Sequence, residues 1–164
     1  MKELAVVERY LYGKLGTLAT AYGWAKPQIA PFDLQDGADA IATYPTPVFF
    51  FRLVATGDRN AIGPGPRLLA WADYEIGLFH AANSFGAEFA TAPPALAAGT
   101  VSLLTVLGQI DDLFQNYTPP IIDAGLGGTV YSIERKYAVR IPERSGGKLF
   151  RRDGGVYRFH VEAD

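Results

Sequence analysis

The chain has 164 residues, with 15 Lys and Arg against 17 Asp and Glu for a net charge of −2, 49% hydrophobic residues and no cysteine. At about 150 residues per domain this is one domain, 1–164, large enough to bury its own core. Disulfide scaffolds, thiolate metal sites and cysteine nucleophiles are excluded, the apolar content is too high for a disordered chain, and the charge is not that of a protein that wraps nucleic acid.

The start, Met1-Lys2-Glu3-Leu4, places an acid where a signal peptide needs a basic and then an apolar region, so no leader is expected. Residues 4–21 predict a helix: Leu4, Val7, Leu11, Leu15 and Leu18 recur on one face, and Gly23 and Pro27 stop it. Gly13 and Gly16 weaken that helix by on the order of 1 kcal/mol each relative to alanine, so packing must hold it. Residues 27–47 read as a long irregular connection, with one short extended piece at Gln28-Ile29-Ala30 and an acidic cluster of Asp33, Asp36 and Asp39.

Residues 48–56 predict a strand rich in aromatic and β-branched residues, with both faces covered. Residues 57–66 predict an exposed hairpin loop, dense in Gly and Pro and carrying Asp58 and Arg59. A second strand is expected over 69–80, with Ala72, Tyr74, Ile76 and Leu78 facing one way and Trp71, Asp73 and Glu75 the other. A second helix is expected over 100–116, N-capped by Thr100 and ended by Pro119 and Pro120.

Residues 130–141 predict a strand with Tyr131, Ile133, Tyr137, Val139 and Ile141 inward and Arg135 as the exception. A basic loop, 142–152, then carries Arg144, Lys148, Arg151 and Arg152. A last strand over 156–161 turns Tyr157, Phe159 and Val161 inward. The order of elements shows no βαβ rhythm, so the expected fold class is α+β, an antiparallel or mixed sheet packed against two helices with long hairpin loops.

Catalytic constellations are missing at the level of local motifs. His80 and His160 form neither an HxxxH nor an HExxH pair, so shared metal ligation would need the fold to bring them together. Asp111 and Asp112 are adjacent on the expected helix and diverge by about 100°, which reads as a solvated edge. Gly125-Leu126-Gly127-Gly128 has no helix opening after it, unlike phosphate loops, and reads as a turn. No GxSxG elbow occurs. No catalytic, cofactor or metal site is expected, and no membrane span: the longest uncharged stretch, between Glu88 and Asp111, is broken by Pro93, Pro94 and Gly99. A ligand-binding or hydrolase domain would instead show a cavity beneath Phe49, Phe51, Trp71 and Tyr74, with His80 or His160 near an acid.

The remaining feature is a set of oppositely charged projections. Acidic Asp33, Asp36 and Asp39, mixed Asp58 and Arg59, and basic Arg144, Lys148, Arg151 and Arg152 suit a surface that meets copies of itself.

The first helix with Glu8-Arg9-Tyr10-Leu11-Tyr12-Gly13-Lys14-Leu15, the proline-led strand Pro47-Val48-Phe49-Phe50-Phe51, the second strand Ala72-Asp73-Tyr74-Glu75-Ile76, the helix core 107–114, and the closing strands at 130–135 and 154–161 come in one order. That order resembles the tail terminator (tail-completion) proteins of long-tailed bacteriophages. The resemblance implies a non-enzymatic virion protein that forms a ring, typically hexameric, on the last ring of tail-tube subunits. Such a ring is assembled in the host cytoplasm, ends tube growth and presents a surface to the head-side connector or stopper, while DNA passes through its bore. Its partners would be its own copies, the tail-tube protein and the connector. The neighbouring reading is another neck or head-completion ring.

Overall fold

The computed structural model describes residues 2–29, 47–59, 68–81, 89–91, 100–115, 121–145 and 148–163. Its elements are α1 (Lys2–Tyr22), β1 (Gln28–Ile29), β2 (Val48–Arg59), β3 (Leu68–Ala81), β4 (Phe89–Thr91), β5 (Thr100–Ser102), α2 (Leu103–Gln115), β6 (Ile121–Asp123), β7 (Gly128–Ser145) and β8 (Lys148–Ala163). Six strands form one curled sheet in the order β1-β2-β3-β8-β7-β6, and β4 pairs with β5 apart from it. Among the described residues, β1 and β2 run parallel and the other strand pairs are antiparallel. The expected α+β class, a mixed sheet with two helices, is what folds. Among the described residues no helix is long and apolar enough to cross a membrane.

Of the helical stripe read from the sequence, Leu4, Val7, Leu11 and Leu15 are inside, with Val6, Ala19 and Tyr22 beside them, while Leu18 is only partly buried. Gly23, at φ 66°, ends α1 in the left-handed conformation. Its N–H bonds to Thr20 O at 3.0 Å and that of Trp24 to Ala19 O at 2.9 Å, a closed C-terminal cap. Both helices lie on one sheet face, over Phe49, Phe51, Tyr74, Ile76, Leu78, Ile133, Tyr157, Phe159 and Val161. Three polar ties pin them: the Tyr74 hydroxyl donates to Glu8 Oε1 at 3.0 Å, Tyr22 to Gln109, and Tyr157 to Asp111. Burial raises the pKa of all three tyrosines, reinforced by the acidic partner at Tyr74 and Tyr157, so each stays a donor.

Several expectations are corrected. The second helix begins at Leu103, because Thr100 belongs to β5 rather than capping the helix. The strand at 48–56 continues to Arg59, and Leu53 and Val54 are exposed, so its two faces are not both covered. Gly57 is part of that strand, not of a free loop, and a Cβ there would lie 2.2 Å from the Trp71 indole, which rests against its backbone. Tyr131, Tyr137 and Ile141 are exposed, not inward. The cause is two β-bulges in β7, at Tyr131 and at Lys136, each of which shifts the pairing by one residue and reverses which face the following side chains take. The basic loop at 142–152 is absent. Strand β7 runs to Ser145 and β8 starts at Lys148, which places Arg144, Lys148, Arg151 and Arg152 on paired strands. Of the other expected connections, 27–47 and 57–66, residues 30–46 and 60–66 lie outside the described residues.

Candidate functional site

The charged residues expected to project are distributed differently. Asp33, Asp36 and Asp39 lie outside the described residues. Asp58 and Arg59 close β2, their backbones opposite Leu69 and Leu68. Arg144 and Lys148 lie at the facing ends of β7 and β8, their backbones opposite Leu149 and Ser145. Arg152 is not at a tip: it is buried, with Nε 2.5 Å from Glu75 Oε1, while Arg52 Nε donates to Glu75 Oε2 at 2.6 Å. Strand alternation turns Arg152 to the sheet face away from the helices, where Glu75 is held between two guanidinium groups. The same face carries Arg158, whose Nε and NH2 donate to both oxygens of Asp73 at 2.7 and 2.9 Å while its guanidinium lies 3.7 Å over the Trp71 ring. The Asp73 hydrogen bonds raise the Arg158 pKa further.

Between α2 and the β7–β8 hairpin lies a cleft of about 350 Å³ walled by Leu104, Leu107, Gly108, Ala138, Val139 and Gly154. At one end is Asp153, fully buried. Its carboxylate accepts from His80 Nε2 at 2.9 Å, Arg140 Nε at 3.0 Å and Arg151 NH2 at 3.2 Å. Burial alone raises the Asp153 pKa. The His80 hydrogen bond and the Arg151 and Arg140 charges outweigh it, and the net shift is down. At the other end Asp111 accepts from Arg135 NH1 at 2.8 Å and from Tyr157, so it is engaged rather than a solvated edge.

This cleft is where acid–base chemistry would be sought, and its groups do not suit it. Asp153 is an ionised carboxylate with three donors already on it, and His80 sits behind it, 1% exposed and not on the cleft wall. A general base needs a free acceptor within reach of a substrate proton. The two histidines are not brought together, because His80 pairs with Arg151 at one end of the β3–β8 ladder and His160 with Trp71 at the other. Among the described residues no group of three or more His, Asp or Glu could hold a metal ion. The glycine run forms the turn between β6 and β7, with Gly127 at φ 65° and Leu126 N–H donating to Asp123 Oδ1 at 3.0 Å. Strand β6 precedes it, rather than the expected helix, and no helix follows.

The other feature is at the sheet edges. Strand β1 covers β2 only at Phe50 and Phe51, and β6 covers β7 only at 128–130. Among the described residues, then, no strand pairs with the outer side of β2 over 52–59 or of β7 over 132–145. Exposed large apolar side chains collect there. Of the nine among the described residues, Ile29, Leu53, Val54, Ile122, Tyr131, Tyr137 and Ile141 lie on β1, β2, β6 and β7, and none lies on the central β3 and β8.

No protein-family model matches the chain, and no curated protein matches it. The His80–Asp153 contact was within reach of the sequence. Extending the inward sets by one step on β3 (Ala72, Tyr74, Ile76, Leu78) and two on β8 (Val161, Phe159, Tyr157) puts His80 and Asp153 on the helix side. The bare edges were not, since they depend on which strands end outermost.

Proposed function

We propose that the chain is a structural subunit that assembles with its own copies into a ring, capping a phage tail tube, ending tube growth and offering its opposite face to a head-side connector. One observation carries this reading: among the described residues, the large apolar side chains left exposed are concentrated on the outer strands of the sheet. Isolated sheets keep such edges charged or covered, and exposed apolar patches mark contact surfaces. Two unlike edges on one body suit head-to-tail contacts, which close into rings when the rotation allows. The cleft favours no enzyme, because its acid is saturated by donors. In this reading the ring is assembled in the host cytoplasm and resides in the virion neck. DNA passes through the bore without sequence-specific binding. Asp33, Asp36, Asp39, Asp58, Arg59, Arg144, Lys148 and Arg151 serve at subunit or ring surfaces.

Size-exclusion chromatography and negative-stain imaging, with and without isolated tail tubes, test it. Rings, free or seated on tube ends, are expected. A protein that stays monomeric and never caps tubes refutes it. A ring that binds portal-bearing heads but not tubes would identify a head-completion part instead.

A further inference from the structure

We propose that copies of this chain join through a lap joint, in which β1 of one copy seats on the bare part of β7 of the next, beside that copy's β6. The inference rests on the ring reading for its partner, a second copy, and adds the surface and register.

The geometry follows from strand pairing. One row crosses the sheet through Ile29, Phe51, Ile76, Gly155 and Ala138. Strand β1 therefore stands at the height of Ala138, where β7 is bare on its outer side among the described residues. Strand β6 lies beyond the Trp71–His160 row, at the end of the sheet where β2 runs out bare through Asp58 and Arg59. Among the described residues each edge thus carries one short strand, at opposite ends. Two copies set side by side at the same height place β6 of one and β1 of the other in a single column, one above the other. The directions also agree. Strand β7 is three antiparallel steps from β2, and β1 is parallel to β2, so an incoming β1 meets β7 antiparallel. Residues sharing a row share a sheet face, so Ile29 of one copy comes beside Ala138 of the other.

Between the two short strands, β2 and β7 face each other across about 10 Å, two strand spacings. The exposed Leu53, Val54 and Tyr137 occupy that interval. The shared edge of about twelve residues is ~40 Å long, and at ~10 Å thickness it buries about 400 Å² from each partner. That is half of the ~800 Å² per partner of a stable pair. A subunit in a closed ring has two such seams and reaches that value, whereas an isolated dimer does not. The joint therefore favours closed rings over dimers.

The absence of native cysteine makes the test clean. The double variant Ile29→Cys with Ala138→Cys is oxidised under conditions where sizing detects assemblies. Within one chain the two positions are four strand spacings apart, about 19 Å, beyond the ~7 Å Cα reach of a disulfide, so any bridge joins two copies. The expected result is a ladder of disulfide-linked species ending at the ring number, with dichroism unchanged from the parent. Tyr12→Cys with Ala138→Cys, which moves one thiol to α1, gives no ladder. Rings without the Ile29–Ala138 bridge overturn the joint and leave the ring reading standing. No assembly, with or without tail tubes, overturns both. Bridged open filaments support the joint and overturn closure.

Discussion

Replacing Asp153 with alanine removes the acceptor on which His80, Arg140 and Arg151 converge. The three contacts do not count equally. Arg140 and Arg151 have side chains 61% and 32% exposed and return to water when the carboxylate is lost, so each contributes about 0–1 kcal/mol. His80 is buried and loses its carboxylate partner without gaining water, a cost of about 1–3 kcal/mol. The expected loss is about 2–4 kcal/mol, or a fall in Tm of roughly 5–15 °C at ~2–4 °C per kcal/mol for a chain of this size. Arg140→Ala, by the same reasoning, costs less than ~1 kcal/mol. Urea denaturation with a His80→Ala, Asp153→Ala double-mutant cycle measures both terms. The reasoning fails if Asp153→Ala stays within about 1 kcal/mol of the parent, or if Arg140→Ala costs as much. The pH dependence has a definite sign. The folded carboxyl titrates below its ordinary 3.8, so its stabilisation is present above that value and is lost as pH falls through the lower folded pKa. Asp153→Asn should flatten that acid limb.

Other substitutions probe the backbone and the face away from the helices. A Cβ at Gly154 would lie 2.1 Å from Ile76 O, a backbone atom that cannot swing aside, so Gly154→Ala should cost on the order of 3 kcal/mol in a denaturant midpoint. Gly108→Ala meets nothing within 4 Å on the cleft side of α2 and should instead stabilise, by up to about 1 kcal/mol of helix propensity. Gly16→Ala on α1 should do the same, and a loss of stability from it would show that α1 packs differently. Arg158→Lys keeps the charge but loses the two-point bond to Asp73 and the stacking on Trp71, and should cost about 1 kcal/mol by thermal melting, with little difference from Arg158→Ala.

Local periodicity carried most of the fold. Helix α1 was legible because Leu4, Val7, Leu11 and Leu15 repeat without interruption, and β8 because Tyr157, Phe159 and Val161 alternate without a bulge. The same alternation misled on β7. Up to Val130 the even residues face the helices, from Ile133 to Arg135 the odd ones do, and from Ala138 the even ones again, since Tyr131 and Lys136 are each an extra residue opposite β8. Arg135, an exception to a hydrophobic pattern, points at the helices for a reason, which is Asp111 on α2. A basic loop is suggested over 142–152 because Arg144, Lys148, Arg151 and Arg152 look solvated by composition. Composition does not reveal that Glu75 and Asp153 are there to receive two of them.

Those bulges also bear on how the open edge could work without inviting indiscriminate pairing. A bare strand of apolar character is an aggregation hazard, and bulges and proline are ways of breaking it up. On β7 the bulges at Tyr131 and Lys136 disturb the upper part of the edge, and Pro142, which has no N–H, limits the lower part. Uninterrupted register with β8 runs over 132–135 between the bulges and over 137–145 after them, and Pro142 removes one N–H from the second run. The row on which β1 of a second copy would arrive, Ala138, falls in the second run, ahead of the proline. A slip across the Lys136 bulge reverses the face and a slip onto Pro142 loses a hydrogen bond, which narrows the registers open to an incoming strand, and a ring requires one register if every seam is to have the same angle.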